Sequence, residues 1–303
     1  VDPKALCLSA FVQSFIDYLK FEKRYSEHTI RSYWDDLEAF WKFVAAEYGE
    51  MGVREITPAV VRTWLAALKD EGMSSRTVNR KISALRSFYK FQLRMGGVEQ
   101  SPMTAIIAPK AGKRLPVFVE QGDMAELFET VRFSEDWEGL TDRLILAILY
   151  HTGMRLSELV GLREGQADGG TGTFKVLGKG NKERVIPVSP VLMRMVEEYK
   201  RLKRDELGGA DTEFLLVGKK GRKLYPQYVY RAVRGYLAQV TTIDKKSPHV
   251  LRHTFATHLM NAGAELNSVK ELLGHASLAA TQVYTHNTIE KLKDIYKKAH
   301  PKA

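Results

Sequence analysis

Between Ser247 and His286 the chain carries an arginine, a tyrosine and two histidines at positions where local structure would present their polar ends to one anion. Ser247 is suited to cap a helix and Pro248 to be its first residue, so His249 and Arg252 fall three apart on one face at a helix N-terminus. Unpaired backbone N–H groups and the helix dipole favour negative charge there, and a phosphate is the natural guest. Gly274 reads as the left-handed residue that ends a helix begun at Asn267, leaving His275 in a turn. Ser277 can then cap a further helix that carries Thr281 and Tyr284. A phenol has a pKa of about 10 and needs nearby positive charge and a base to act as a nucleophile, which points to a phosphotyrosyl ester as product.

Other residues could join this chemistry. Arg155 stands at the start of a helix with Glu158 one turn on, so the carboxylate can orient a second planar fork for phosphate oxygens; a solvent-facing Arg–Glu pair is the plainer reading. Lys179 lies between two glycines at an expected hairpin tip and could reach a bound backbone as a general acid, or be a hydrophilic turn residue. The glycine spacing of a nucleotide-binding loop is absent. His249 and His253 have the spacing of a zinc pair but lack the intervening glutamate, and there is no acidic cluster for a two-metal nuclease, so no metal or other cofactor is expected. His253, His258 and His286 are expected to satisfy local hydrogen bonds.

Positioning these groups requires a scaffold, and it reads as mainly helical. Four helical patterns fill the first hundred residues, with start signals at Ser26, Thr57-Pro58 and Ser74-Ser75 and a first helix from about Ser9 to Lys20. Tyr33, Leu37, Phe40, Trp41 and Val44 form one apolar stripe. The fourth helix, about Arg76 to Arg94, sets Val78, Ile82, Leu85 and Tyr89 on one side. Its other side bears Arg76, Arg80, Lys90 and Arg94, with no acidic residue in the stripe, and could follow a phosphate backbone. A basic stretch punctuated by Pro and Gly, Pro109 to Pro116, reads as a linker. The expected division is a helical domain 1–108, a linker 109–117 and a mixed α/β domain 118–303. In the second domain helices are expected at about 123–131, 140–151, 156–163, 190–204 and 226–240, with a hairpin of Phe174–Leu177 and Arg184–Val188.

Composition agrees. The 303 residues suffice for two cores, the apolar share of 44% is globular, and a net charge of +10 favours a polyanionic partner. Cys7 is the only cysteine and reads as a small buried residue; with no disulfide framework, signal-peptide pattern or membrane-length apolar run, a cytoplasmic location is expected.

Taken together, these segments resemble the tyrosine recombinases, or lambda-integrase family, and within it the Xer-type site-specific recombinases. The resemblance runs through Tyr25-Ser-x-His28-Thr29, Lys113-Arg114-Leu115-Pro116, Thr152-Gly-Met-Arg155-x-Ser-Glu158, Gly178-Lys179-Gly-Asn-Lys-Glu-Arg184, Ser247-Pro-His249-x-Leu-Arg252-His, Leu272-Leu-Gly-His275 and Thr281-x-x-Tyr284. It implies a C-shaped clamp of a core-binding and a catalytic domain, working as four protomers, alike or mixed, on two sites of double-stranded DNA. Tyr284 would attack the scissile phosphate to form a 3′-phosphotyrosyl link, leading to a Holliday junction. Arg155 and Arg252 would hold the non-bridging oxygens, Lys179 would protonate the leaving 5′ oxygen, His249 would move the nucleophile's proton, His275 would donate to the phosphate and Glu158 would support Arg155. A tail helix bearing Ile289, Leu292, Ile295 and Tyr296 would be exchanged between protomers. The expected task is chromosome-dimer resolution, with a DNA translocase as a possible activator. The alternatives are a mobile-element integrase, a type IB topoisomerase and a DNA-binding protein without catalysis.

Overall fold

The computed structural model describes residues 3–110, 112, 117–178, 183–207 and 213–274, with side chains from residue 10 onward. The chain divides into two compact units, Val1–Arg114 and Leu115–Ala303.

In the first unit α1 (Pro3–Asp17) runs into one π-helical turn (Tyr18–Glu22) and is followed by α2 (Glu27–Tyr48), α3 (Pro58–Asp70) and α4 (Ser75–Arg94). The expected first helix began six residues later, because its opening turns have no cap signal in the sequence. Ser26, Thr57 and Ser74 do cap α2, α3 and α4: each side-chain oxygen accepts a backbone N–H three residues on, at 3.4, 3.4 and 3.3 Å. The apolar stripes meet in one core in which Phe15, Leu37, Phe40, Trp64, Ile82, Leu85 and Tyr89 are almost wholly buried, and Phe40 packs edge-on against Trp64. Tyr33 is half-buried at its rim.

The second unit is built around α6 (Trp137–Thr152), whose residues from Leu144 to Thr152 are buried on every side, the mark of a central helix. Around it lie α5 (Gln121–Glu129), α7 (Leu156–Val160), α8 (Pro190–Glu206), α9 (Pro226–Val240), α10 (Pro248–Asn261) and α11 (Leu266–Leu273). Helix α7 stops three residues short of the expected Arg163, since Gly161 follows its last turn. The three strands β1 (Ala167–Asp168), β2 (Thr173–Leu177) and β3 (Glu183–Pro187) form one antiparallel sheet in that order, with Phe174 opposite Ile186. The hairpin strands were expected; β1, two residues long, has no periodicity to reveal it. Its turn is closed by Asp168, whose Oδ1 accepts the N–H groups of Gly170 and Thr171 at 2.9 and 3.2 Å. Among the described residues no helix is long and apolar enough to cross a membrane.

Two junctions set the site. Gly153 ends α6 in the left-handed region at φ +57°, where a Cβ would press on Phe255 and Leu273. Phe255 and Leu259 of α10 pack with Val269, Leu272 and Leu273 of α11, which fixes the end of α11 beside the end of α6.

Candidate active site

Glu158 is the centre of the cluster, although its neighbours lie far apart in sequence. Its side chain is 2% exposed. Arg184, on β3, grips both carboxylate oxygens, Nη1 to Oε1 at 2.6 Å and Nη2 to Oε2 at 2.7 Å. Arg155 adds a single prong, Nη1 to Oε1 at 2.9 Å, while its backbone N–H donates to Oε2 at 2.7 Å and so caps α7. Burial by itself would raise the Glu158 carboxyl, but the hydrogen bonds and charge of Arg184, and then the bonds from Arg155, outweigh it and hold the group below the ordinary carboxylate range.

The last carbonyls of a helix have no partner within it and carry the negative end of its dipole. At the end of α11 three consecutive ones are taken by three guanidinium groups. Arg184 Nε donates to Leu272 O at 3.2 Å, Arg252 Nη2 to Leu273 O at 2.7 Å and Arg155 Nη2 to Gly274 O at 3.1 Å. Arg252 Nη1 also donates to Gly153 O at 2.6 Å, so this one side chain joins the ends of α6 and α11. Gly274 is left-handed, φ +63°, as its place after α11 predicts, and a Cβ there would lie 2.9 Å from Arg184 Cδ.

Arg252 is buried, which corrects the expectation that it stands exposed at the start of α10. Burial first, and then the charges of Arg155 and Arg184, push its guanidinium down to about 10, so it remains charged at neutral pH. Among the described residues, three guanidinium groups and one carboxylate gather in a place largely withdrawn from water. Such an assembly is unfavourable alone and is relieved by an anion, most of all by a phosphoryl group gaining charge in a transition state. Arg155, with 29% of its side chain exposed, is more open than Arg184 at 5%.

His249 is exposed on the first turn of α10. Ser247 occupies the cap position there, yet its side chain makes no cap hydrogen bond, contrary to expectation: Pro248 sets the helix start by its backbone alone. His258 is structural, as expected; its ring bridges the Tyr150 hydroxyl at 3.1 Å and Val119 O at 3.0 Å, and burial holds its pKa below the usual histidine value. His253 is exposed, with no hydrogen bond among the described residues. Lys179, His275, Tyr284 and His286, the helix capped by Ser277 and the tail helix lie outside the described residues, as does Lys113 to Pro116.

On α4, all four expected phosphate-facing residues are exposed, but two are engaged within the unit. Arg80 pairs with Asp36 at 2.6 Å and donates to Ser32; Arg94 lies 3.7 Å from Glu22 and stacks over Tyr18 at 4.3 Å. The acidic partners missing from the stripe come from α2 and the π turn, which sequence spacing within α4 could not reveal. Arg76 and Lys90 have no such ion pair among the described residues.

Sequence reasoning assigned Arg184 no role. A signal was present, since Arg184 and Ile186 share the inward side of β3 and a charged residue on a strand's buried face demands a partner.

Comparison with known proteins places the chain in a family. The phage integrase family matches residues 118–291, and the N-terminal SAM-like domain of phage integrases matches residues 12–96. A protein named tyrosine recombinase XerC from Oceanobacillus iheyensis is 40% identical over 299 residues, covering 98% of this chain and 97% of its own. Its namesake from Bacillus subtilis is 38% identical over 296 residues, covering 97% of each. Among solved structures, the XerH site-specific recombinase in a post-cleavage complex with its difH substrate superposes with a TM-score of 0.70 at 21% identity, over 94% of this chain and 80% of that one. A lambda integrase tetramer on a Holliday junction gives 0.69 at 18%, over 91% and 80%.

Proposed function

From the premise that this chain belongs to the phage integrase family and is a Xer-like site-specific tyrosine recombinase, we propose how its own residues cut and rejoin DNA. The Tyr284 oxygen attacks the scissile phosphorus, forming a 3′-phosphotyrosyl ester as the bond from phosphorus to the 5′ oxygen breaks. His249 takes up the phenolic proton, and Lys179 delivers one to the departing 5′ oxygen. Arg155 and Arg252 hold the non-bridging oxygens, His275 donates to the same phosphate and Glu158 steadies Arg155. One phosphodiester is exchanged for another, so a 5′ hydroxyl from a second duplex can reverse the attack and seal a junction without further energy input. The observation that carries the reading is the convergence of three guanidiniums at the end of α11.

Residues 1–108 serve as the core-binding domain, 109–117 as linker and 118–303 as the catalytic domain with its exchanged tail helix. The substrate is double-stranded DNA bearing a specific site, held by a tetramer; Arg76 and Lys90 contact backbone phosphates more directly than Arg80 and Arg94. Replacing either Arg76 or Lys90 by alanine should make the slope of log affinity against log salt shallower by about 0.9. Chromosome-dimer resolution in the cytoplasm, with a DNA translocase as activator, is the cellular task that the XerC likeness favours.

Covalent trapping on a library of nicked duplexes tests the reading and recovers the site. Tyr284→Phe should bind DNA with no covalent product, and Arg155→Ala should bind but cleave on the order of 100- to 1,000-fold more slowly. Normal covalent product from Tyr284→Phe overturns the assignment.

A further inference from the structure

We propose that Arg184 is a positioning residue of strand cleavage, acting through Glu158 and the end of α11 to hold Arg155 in its phosphate-binding orientation; this rests on the role given to Arg155 above. A carboxylate presents one fork to one guanidinium, and in this protein Arg184, not Arg155, occupies it, at 2.6 and 2.7 Å. Arg155 is thereby confined to a single side-chain contact with Glu158 at 2.9 Å, and its other amino group rests on Gly274 O. Its remaining N–H donors are not used on the carboxylate.

Without Arg184, the buried carboxylate would retain Arg155 as its only guanidinium partner among the described residues. Arg155 would then swing to fill the fork, releasing Gly274 O and withdrawing its donors from the substrate. Arg184 also fixes the backbone from which the chain leaves α11, through Nε on Leu272 O and through the side-chain carbon against which Gly274 closes. Lysine cannot replace it, because one point charge cannot hold two carboxylate oxygens and a carbonyl in fixed directions.

The test is a double-mutant cycle of Arg184→Lys and Glu158→Gln in the full chain, read on a nicked duplex recovered by the covalent trapping above. Single-turnover cleavage, DNA dissociation constants and melting curves are measured below the melting range of every variant. Arg184→Lys should leave DNA affinity unchanged and slow cleavage on the order of 100-fold, the scale of a misplaced reacting group. In the Glu158→Gln background the same change should slow cleavage clearly less than in the parent protein, because the route through the carboxylate is already lost and only the hold on Leu272 O and Gly274 remains. Cleavage at the normal rate by Arg184→Lys, a slowing explained by weaker DNA binding, or effects that multiply in the double variant would each overturn the proposal. If Tyr284→Phe still forms covalent product, the catalytic reading itself fails; if only Arg184→Lys behaves normally, that reading stands and this one falls.

Discussion

Among the described residues each unit buries one carboxylate against two cations, and the two arrangements differ in where the cations come from. In the helical unit Asp36 of α2, 2% exposed, holds Arg80 at 2.6 Å and Lys81 at 3.2 Å, adjacent residues of α4. Arg80 is half exposed to solvent, and Lys81 lies under the Trp64 ring at 5.7 Å. That set fastens one helix to another. In the catalytic unit the partners of Glu158 come from the start of α7 and from β3, both continue to the carbonyls of α11, and Arg252 joins them from α10. A buried ion pair alone is weak grounds for function, since desolvation offsets much of its attraction. Cations drawn from several elements to one point are a different matter, because folding gains little from crowding them.

The sharpest test of this contrast exchanges the two carboxylates in turn. Asp36→Asn should destabilise the helical unit by about 3–5 kcal/mol, the usual cost of stranding a buried charge, and leave single-turnover cleavage unchanged at saturating DNA. Glu158→Gln should instead slow cleavage on the order of 100-fold where the protein is still folded. Equal slowing by both, measured by covalent trapping alongside melting curves, would erase the distinction.

A second pair compares two left-handed glycines. Gly72, φ +77°, has open space around its Cα, whereas Gly274, φ +63°, closes on Arg184. Alanine at either position should cost roughly 1–2 kcal/mol of backbone strain by thermal melting. Only Gly274→Ala should also slow cleavage, by about 10-fold or more, since its methyl displaces Arg184; a kinetic effect from Gly72→Ala would count against the linkage.

The smallest expected effect concerns a third carboxylate. Asp142 is half-buried, its Oδ1 has no hydrogen-bond partner, and burial pushes its pKa up to about 6 despite a bond from Tyr228. The folded state therefore binds the proton more tightly than the unfolded one, and stability declines as pH rises from about 4 to 6. Asp142→Asn should raise the melting temperature at pH 8 by a few degrees, about 1 kcal/mol for a unit of this size, with the gain fading below pH 4. A gain equal at both pH values would show that ionisation is not its origin.

Much of the scaffold was legible because its causes are local. Ser26, Thr57 and Ser74 announce their helices through bonds three residues long, and the stripes of α2 and α4 declare a buried face by spacing alone. The pairing of Arg155 with Glu158 within one turn of α7 was readable for the same reason. The burial of Arg252, the engagement of Arg80 and Arg94, and the grip of Arg184 on Glu158 were not, because each depends on a partner from another element.

What the sequence determined by itself is the inventory of this protein: which helices form, where those capped by Ser26, Thr57 and Ser74 start, and which arginines, histidines, lysine and tyrosine resemble the family's motifs. Folding alone decided which of the described cations share one carboxylate and that three of them end on Leu272, Leu273 and Gly274. The reason is physical. Every residue has a backbone carbonyl, so an acceptor of this kind leaves no mark in the order of side chains until packing brings the end of a helix to the guanidinium that will use it.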